Sequence, residues 1–222
     1  MALVLKKEKH FCSVCLKLNE YEIIVENDDA QEFDLDTRPH GSQRYALIKS
    51  VHMCPYCHYS NFDIDTEIEG IILKDVVNSA AYEELCSLPM NEDAKKFMLA
   101  AYLYEQAEDF VAAGYLYLNC AWMLDDSDDE ENARDIRRHA VLNFSKTKQL
   151  PDIVIIECDL MRRTKAFTEA AMLAKNTLND KTLSDEQREM FRQEIALCKQ
   201  KRSEAVKFIR EKPSFLKKLF RR

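Results

Sequence analysis

A mainly α-helical chain that opens with a small β segment is the fold class this sequence predicts, and three observations carry it. Only 3 glycines and 5 prolines punctuate 222 residues, which favours long helices over turn-rich sandwiches and barrels. Apolar residues recur at helical spacing from about Asp65 onward. Before that point the chain carries β-type segments and four cysteines in two Cys-x-x-Cys pairs, Cys12/Cys15 and Cys54/Cys57. With 46% apolar and 32% charged residues, the chain has the composition of a folded protein with a substantial core.

The paired cysteines set the chemistry of the opening segment. Two thiolate pairs brought together offer the tetrahedral sulfur set of a structural zinc ion, so residues 1–64 are expected to form a zinc-ribbon-like metal-binding domain. Iron or a reduced thiol cluster are the alternatives, since sulfur suits both metals. A redox pair needs no second copy, and two copies point to a cage. The second knuckle, Cys54-Pro-Tyr-Cys57, has a proline that stiffens its turn. Glycine is convenient after the second cysteine of a knuckle, where φ is positive; this chain has Leu16 and His58 there. His10, His52 and His58 are candidate replacement ligands, yet four sulfurs complete a closed shell and leave no position for a catalytic water. Cys86, Cys120, Cys158 and Cys198 sit singly in helical patterns and read as small buried hydrophobes.

Between the knuckles, Tyr21–Val25 and Tyr45–Val51 are rich in β-branched and aromatic residues and are expected to be strands. The intervening 36–41 segment carries turn punctuation, and Gly41 reads as a loop position because no phosphate-binding motif surrounds it. From Asp65 the expected helices run from Ile68 to a stop near Leu88-Pro89, then Asn91–Gln106, Asp109–Leu124, Asn132–Ser145, Ile153–Thr164, Phe167–Leu178, and Asp185 to about Ile209. The acidic run 125–131 lacks the spacing and central glycine of an EF-hand, so it reads as a solvated loop that feeds carboxylates to the next helix N-terminus.

An internal similarity organises these helices. Residues 104–117 align without a gap with residues 161–174, matching Phe110 to Phe167 and Ala113 to Ala170. An aromatic residue followed three positions on by a small one is the pattern of a tetratricopeptide-like helix hairpin, so residues 65–211 are expected to form such an array, with an ordinary helical bundle as the alternative. The two copies stand 57 residues apart, not the usual 34 or so, and other helices must interrupt the stack.

Together the Cys12/Cys15 pair, the Cys54-Pro-Tyr-Cys57 knuckle with Tyr59, the Ala121-Trp122 segment and the Leu160–Arg163 stretch before Phe167 resemble a bacterial family, the domain-of-unknown-function family 2225. The resemblance covers roughly residues 10 to 200. It implies an N-terminal metal-binding ribbon followed by tetratricopeptide-like helices, and no established activity. The absent knuckle glycines are the departure from the family pattern.

Function classes follow from what is present and what is missing. No nucleophile elbow, P-loop, dinucleotide fingerprint or metal-enzyme spacing occurs, so an enzyme is not expected. A helical hairpin array suits a protein partner, and Tyr102, Tyr104, Tyr115, Tyr117 and Trp122 are candidates for lining a groove, though at this spacing most should be core. Net charge is −7, yet residues 199–222 hold ten lysines and arginines against two glutamates, and residues 212–222 form a basic amphipathic tail. That tail, with the ribbon, makes nucleic-acid or anionic-membrane binding the second expectation; docking on the chain's own acidic surface is the plainer one. A thiol redox or metal-responsive switch is the third. The start, Met1 to His10, lacks the apolar stretch of a signal peptide, no apolar run is long enough to span a bilayer, and paired cysteines suit a reducing compartment, so a cytoplasmic location is expected. The sequence names neither the partner nor the oligomeric state.

Overall fold

The computed structural model describes residues 3–27 and 32–209. They form two compact units, one within residues 1–31 and 38–149, the other within residues 32–37 and 150–222. The tail 212–222 lies outside the described residues.

The first unit begins with two antiparallel hairpins. Strand β1 (Val4–Phe11) pairs with β2 (Leu18–Glu26), Phe11 opposite Leu18, and the short β3 (His52–Met53) pairs with β4 (Ser60–Asn61). Each cysteine pair therefore sits at the tip of its own hairpin. Residues 21–25 are strand as expected, but 45–51 are not: Ser42–Ile48 is helix α1. Ile48 is the only β-branched residue inside α1, Ala46 is its one buried residue, and Arg44 pairs with Asp126 of a later helix, so tertiary anchoring decides the conformation.

The segment expected as one helix to Leu88 is two short ones, α2 (Leu73–Val77) and α3 (Ala80–Ser87). Ser79 divides them: its hydroxyl accepts from the Tyr82 amide and starts α3 afresh. Three long helices follow, α4 (Glu92–Gln106), α5 (Phe110–Asp126) and α6 (Glu130–Phe144). Asn91, Asp109 and Asp129 cap them with side-chain oxygens. The acidic run behaves as expected, with Asp129 capping α6 and Glu130 and Glu131 in its first turn. Helix α5 is the central one, buried from Ala113 to Leu124 except at Tyr115 and Asn119. Gly114 lets α6 come close, because a Cβ there would stand 2.6 Å from the Phe144 ring.

The second unit holds α7 (Pro151–Arg163), α8 (Phe167–Thr177) and α9 (Asp185–Lys199) around Val154, Ile155, Cys158, Ala174 and Phe191. Helix α9 ends ten residues before the expected Ile209. Lys201 takes a positive φ of 53°, and the Arg202 amide turns back to the Leu197 carbonyl, a Schellman-type stop. The chain then runs extended and pairs with residues 33–35 through Leu35 N–H to Val206 O and Phe208 N–H to Phe33 O, each 2.9 Å.

The aligned hairpin turns are the same local structure. Glu108 and Lys165 both adopt positive φ, and Asp109 and Ala166 donate to the Tyr104 and Met161 carbonyls at 3.0 and 2.8 Å. Ala113 and Ala170 are fully buried where their helix pairs meet. A third copy joins α5 to α6, with Asp128 at positive φ and the Asp129 amide bonded to the Leu124 carbonyl at 3.0 Å.

Candidate metal centre

The two knuckles have one backbone design. In the first, the Leu16 amide donates to the Cys12 carbonyl at 2.8 Å and the Cys12 amide to the Lys17 carbonyl at 3.0 Å. In the second, the His58 amide donates to the Cys54 carbonyl at 2.9 Å and the Cys54 amide to the Tyr59 carbonyl at 2.8 Å. Leu16 and His58 stand at φ 58° and 59°, so both knuckles adopt the glycine-favouring conformation without glycine. The amides of Val14 and Cys15 turn toward the Cys12 sulfur, that of Lys17 toward Cys15, and that of Tyr59 toward Cys57.

The hairpin tips bring Cys12, Cys15, Cys54 and Cys57 together, every sulfur within 4.8 Å of the others. Cys12 Sγ lies 3.6 Å from Cys57 Sγ, and Cys15 Sγ lies 3.5 Å from Cys54 Sγ. Four sulfurs bound at about 2.3 Å around a tetrahedral zinc ion would stand about 3.8 Å apart, so the set fits such an ion. Burial pushes the Cys12 and Cys57 thiols up. Burial opposes ionisation of Cys15 too, but the Lys17 amide and the neighbouring sulfurs outweigh it and lower its pKa. A cation at the centre is what would let all four act as thiolates.

Nothing else among the described residues forms such a cluster. His10 faces away to Asp65, its Nδ1 3.1 Å from the carboxylate, and the His52 ring meets Tyr21 edge-on at 5.3 Å. His58 contributes its carbonyl, which accepts from Tyr82 at 2.8 Å. Cys120, Cys158 and Cys198 are buried and Cys86 half-buried; burial raises all four thiols, with Cys198 pushed up to about 11.

The motifs shared with the family noted above extend over most of this architecture. The family model described as "Uncharacterized protein conserved in bacteria", the domain-of-unknown-function family 2225, matches residues 5–213. The chain belongs to this family. No curated protein and no solved structure matches it.

Other residues support the cysteines, and of these the sequence reading singled out only Tyr59, as part of the family motif, and Tyr104, as a groove candidate. Thr66 is the hub: its carbonyl accepts from Ser13 Oγ at 3.1 Å and from Tyr59 Oη at 2.6 Å. The Ile64 carbonyl accepts from the Ser13 amide at 3.0 Å, so the 63–66 loop holds both knuckles. Asn61 donates to Tyr59 Oη at 2.7 Å and accepts from Tyr104 of α4 at 2.9 Å, and Tyr82 of α3 holds the second knuckle. Of the aromatic residues weighed for a groove, Tyr117 and Trp122 are buried, Tyr102 and Tyr104 half-buried, and Tyr115 stands at the exposed limit.

Proposed function

We propose that this protein is a non-enzymatic zinc-binding interaction module, an adaptor or scaffold whose four-cysteine cage stiffens the surface that meets a protein partner. The closed sulfur set carries the reading: Cys12, Cys15, Cys54 and Cys57 fill a tetrahedral shell, which suits a structural ion more than a hydrolytic one. Large apolar side chains at the knuckles support an interaction role, with Leu16 73% exposed and Phe11 and Tyr56 more than half exposed. The repeated helix turns at Glu108, Asp128 and Lys165 support a tetratricopeptide-like character for the helical part. The nucleic-acid alternative gains little from the ribbon, because Lys6 and Lys7 of β1 pair with Glu8 and Glu20. No helix among the described residues is long and apolar enough to cross a membrane.

Elemental mass spectrometry on protein purified under reducing, chelator-free conditions tests the metal half. About one zinc per chain is expected, lost in a variant carrying Cys54→Ser and Cys57→Ser. A photo-crosslinking residue at position 16 tests the other half in cells. A protein adduct that disappears in the double variant supports the module, whereas adducts confined to nucleic acid or lipid would replace it with the second expectation.

A further inference from the structure

The four cysteines are unequal. Cys12 and Cys54 are fully buried, whereas Cys15 and Cys57 are partly open. Cys57 also lines a solvent-open cleft of about 460 Å³, walled on the far side by Tyr82, Glu83, Cys86 and Ser87 of α3. Two ligands of the cage are thus covered and two partly open, and of these Cys57 faces a cleft that holds a small molecule.

The second observation is that the cage has a frame that owes nothing to a metal. Many small zinc domains unfold without their ion because nothing else joins the ligand-bearing loops. Here the 63–66 loop joins them. Its Ile64 and Thr66 carbonyls take both hydrogen-bond donors of Ser13 on the first knuckle, and Thr66 also takes the hydroxyl of fully buried Tyr59 beside the second. Tyr82 and the Tyr104–Asn61 contact fasten the second knuckle to α3 and α4. Each knuckle also closes its own backbone hydrogen bonds.

We infer that the cage is an exchangeable metal site: the 63–66 loop keeps both knuckles at ligand spacing when the ion is out, and the cleft at Cys57 is where a small thiol or chelating ligand reaches it. The inference rests on the metal reading above and changes its meaning. Metal occupancy becomes a reversible state of a folded protein, suited to handing a soft divalent ion to or from a low-molecular-weight thiol pool. Ser13 and Tyr59 are positioning residues for the cage.

The test uses the full chain loaded with zinc under reductant. Hydrogen exchange is followed before and after EDTA treatment, and zinc return is read with a chromophoric chelator. The expected result is that amides of residues 52–61 and of α4 keep their protection in the metal-free protein, and that added zinc rebinds one per chain without a refolding phase. Ser13→Ala with Tyr59→Phe should weaken zinc binding about tenfold to a hundredfold, the usual cost of removing groups that orient ligands. A bulky Ser87→Trp should slow zinc removal and leave affinity unchanged. Loss of protection across 52–61 on chelation would overturn the inference, as would a Ser13/Tyr59 variant with lower stability but unchanged zinc affinity. Failure to bind zinc at all under reducing reconstitution would instead remove the metal reading beneath it.

Discussion

Each of the two units buries a cluster of acidic groups, and the clusters are neutralised in different ways. In the first unit, the thiols of Cys12, Cys15, Cys54 and Cys57 converge on one another. In the second, Asp159 of α7 and Glu194 of α9 converge on Arg162, all three at 1% exposure or less. Arg162 bonds Glu194 through Nε at 2.8 Å and Asp159 through a terminal nitrogen, and its other terminal nitrogen donates to the Arg202 and Glu204 carbonyls at 2.9 and 2.8 Å. The second cluster carries its own counter-ion and uses it to fix the segment after α9. On the proposed metal reading the first takes its counter-ion from solution, which puts the chemistry open to outside control in the first unit.

Removing the internal cation is the sharpest way to break that contrast. Arg162→Met leaves Asp159 and Glu194 facing each other without a partner and frees two carbonyls, and should cost about 3–5 kcal/mol, the usual penalty for orphaning a buried charge. Urea unfolding should show the second unit melting first, with zinc content unchanged. Replacing Asp159 and Glu194 by Leu in the same variant should return much of the loss, because well-packed apolar groups of similar volume often match a buried ion cluster. If Arg162→Met alone proves neutral, the cluster is more hydrated than its burial implies.

These two clusters differ in how legible they were. The cage was readable because cysteine spacing is local chemistry, and α4 to α8 were readable because apolar periodicity and capping residues coincide. Asp159 reads as an ordinary polar position on a helix and Arg162 only as part of the Leu160–Arg163 family stretch; the return of α9 is what places Glu194 against them. Strand β1 was missed because exposed lysines interrupt its pattern, and the third helix turn because Glu130 stands where the other two copies have phenylalanine. Thr66 was invisible because its role is played by a backbone carbonyl, which sequence does not encode.

A milder perturbation sharpens the comparison through pH. Burial, then the nearby Asp159, holds Glu194 well above the usual carboxylate range, against the pull of Arg162. Among the described residues Asp159 Oδ1 and Glu194 Oε1 have no N–H or O–H donor, and a proton held on Glu194 supplies one. A raised folded-state pKa gives stability that is complete below the ordinary value of 4.5 and is lost as pH rises through the folded value. The second unit should therefore weaken in urea midpoints as pH climbs above the ordinary value of 4.5, until the folded value is passed. Glu194→Gln should flatten that slope, since an amide keeps an oxygen for Arg162 and brings a permanent donor for Asp159. A slope that persists in the variant would assign the titration to another group.

The smallest effect separates the two knuckles, which share a backbone and differ in what the strained residue touches. Leu16 and His58 both hold positive φ, a conformation that costs a residue bearing a Cβ roughly 1–2 kcal/mol. Leu16 is 73% exposed and so has little packing to lose. His58 is exposed as well, but it lines the cleft beside α3. Leu16→Gly should therefore raise the stability of the metal-free protein by about 0.5–1 kcal/mol, after the added chain entropy of glycine is set against the strain relieved. His58→Gly should gain less or lose, since the relieved strain is offset by contacts removed at the cleft. Thermal melts of the two variants without metal decide it. Equal gains would mean that backbone strain alone separates wild type from glycine at both tips, and that the His58 side chain adds nothing to the second knuckle.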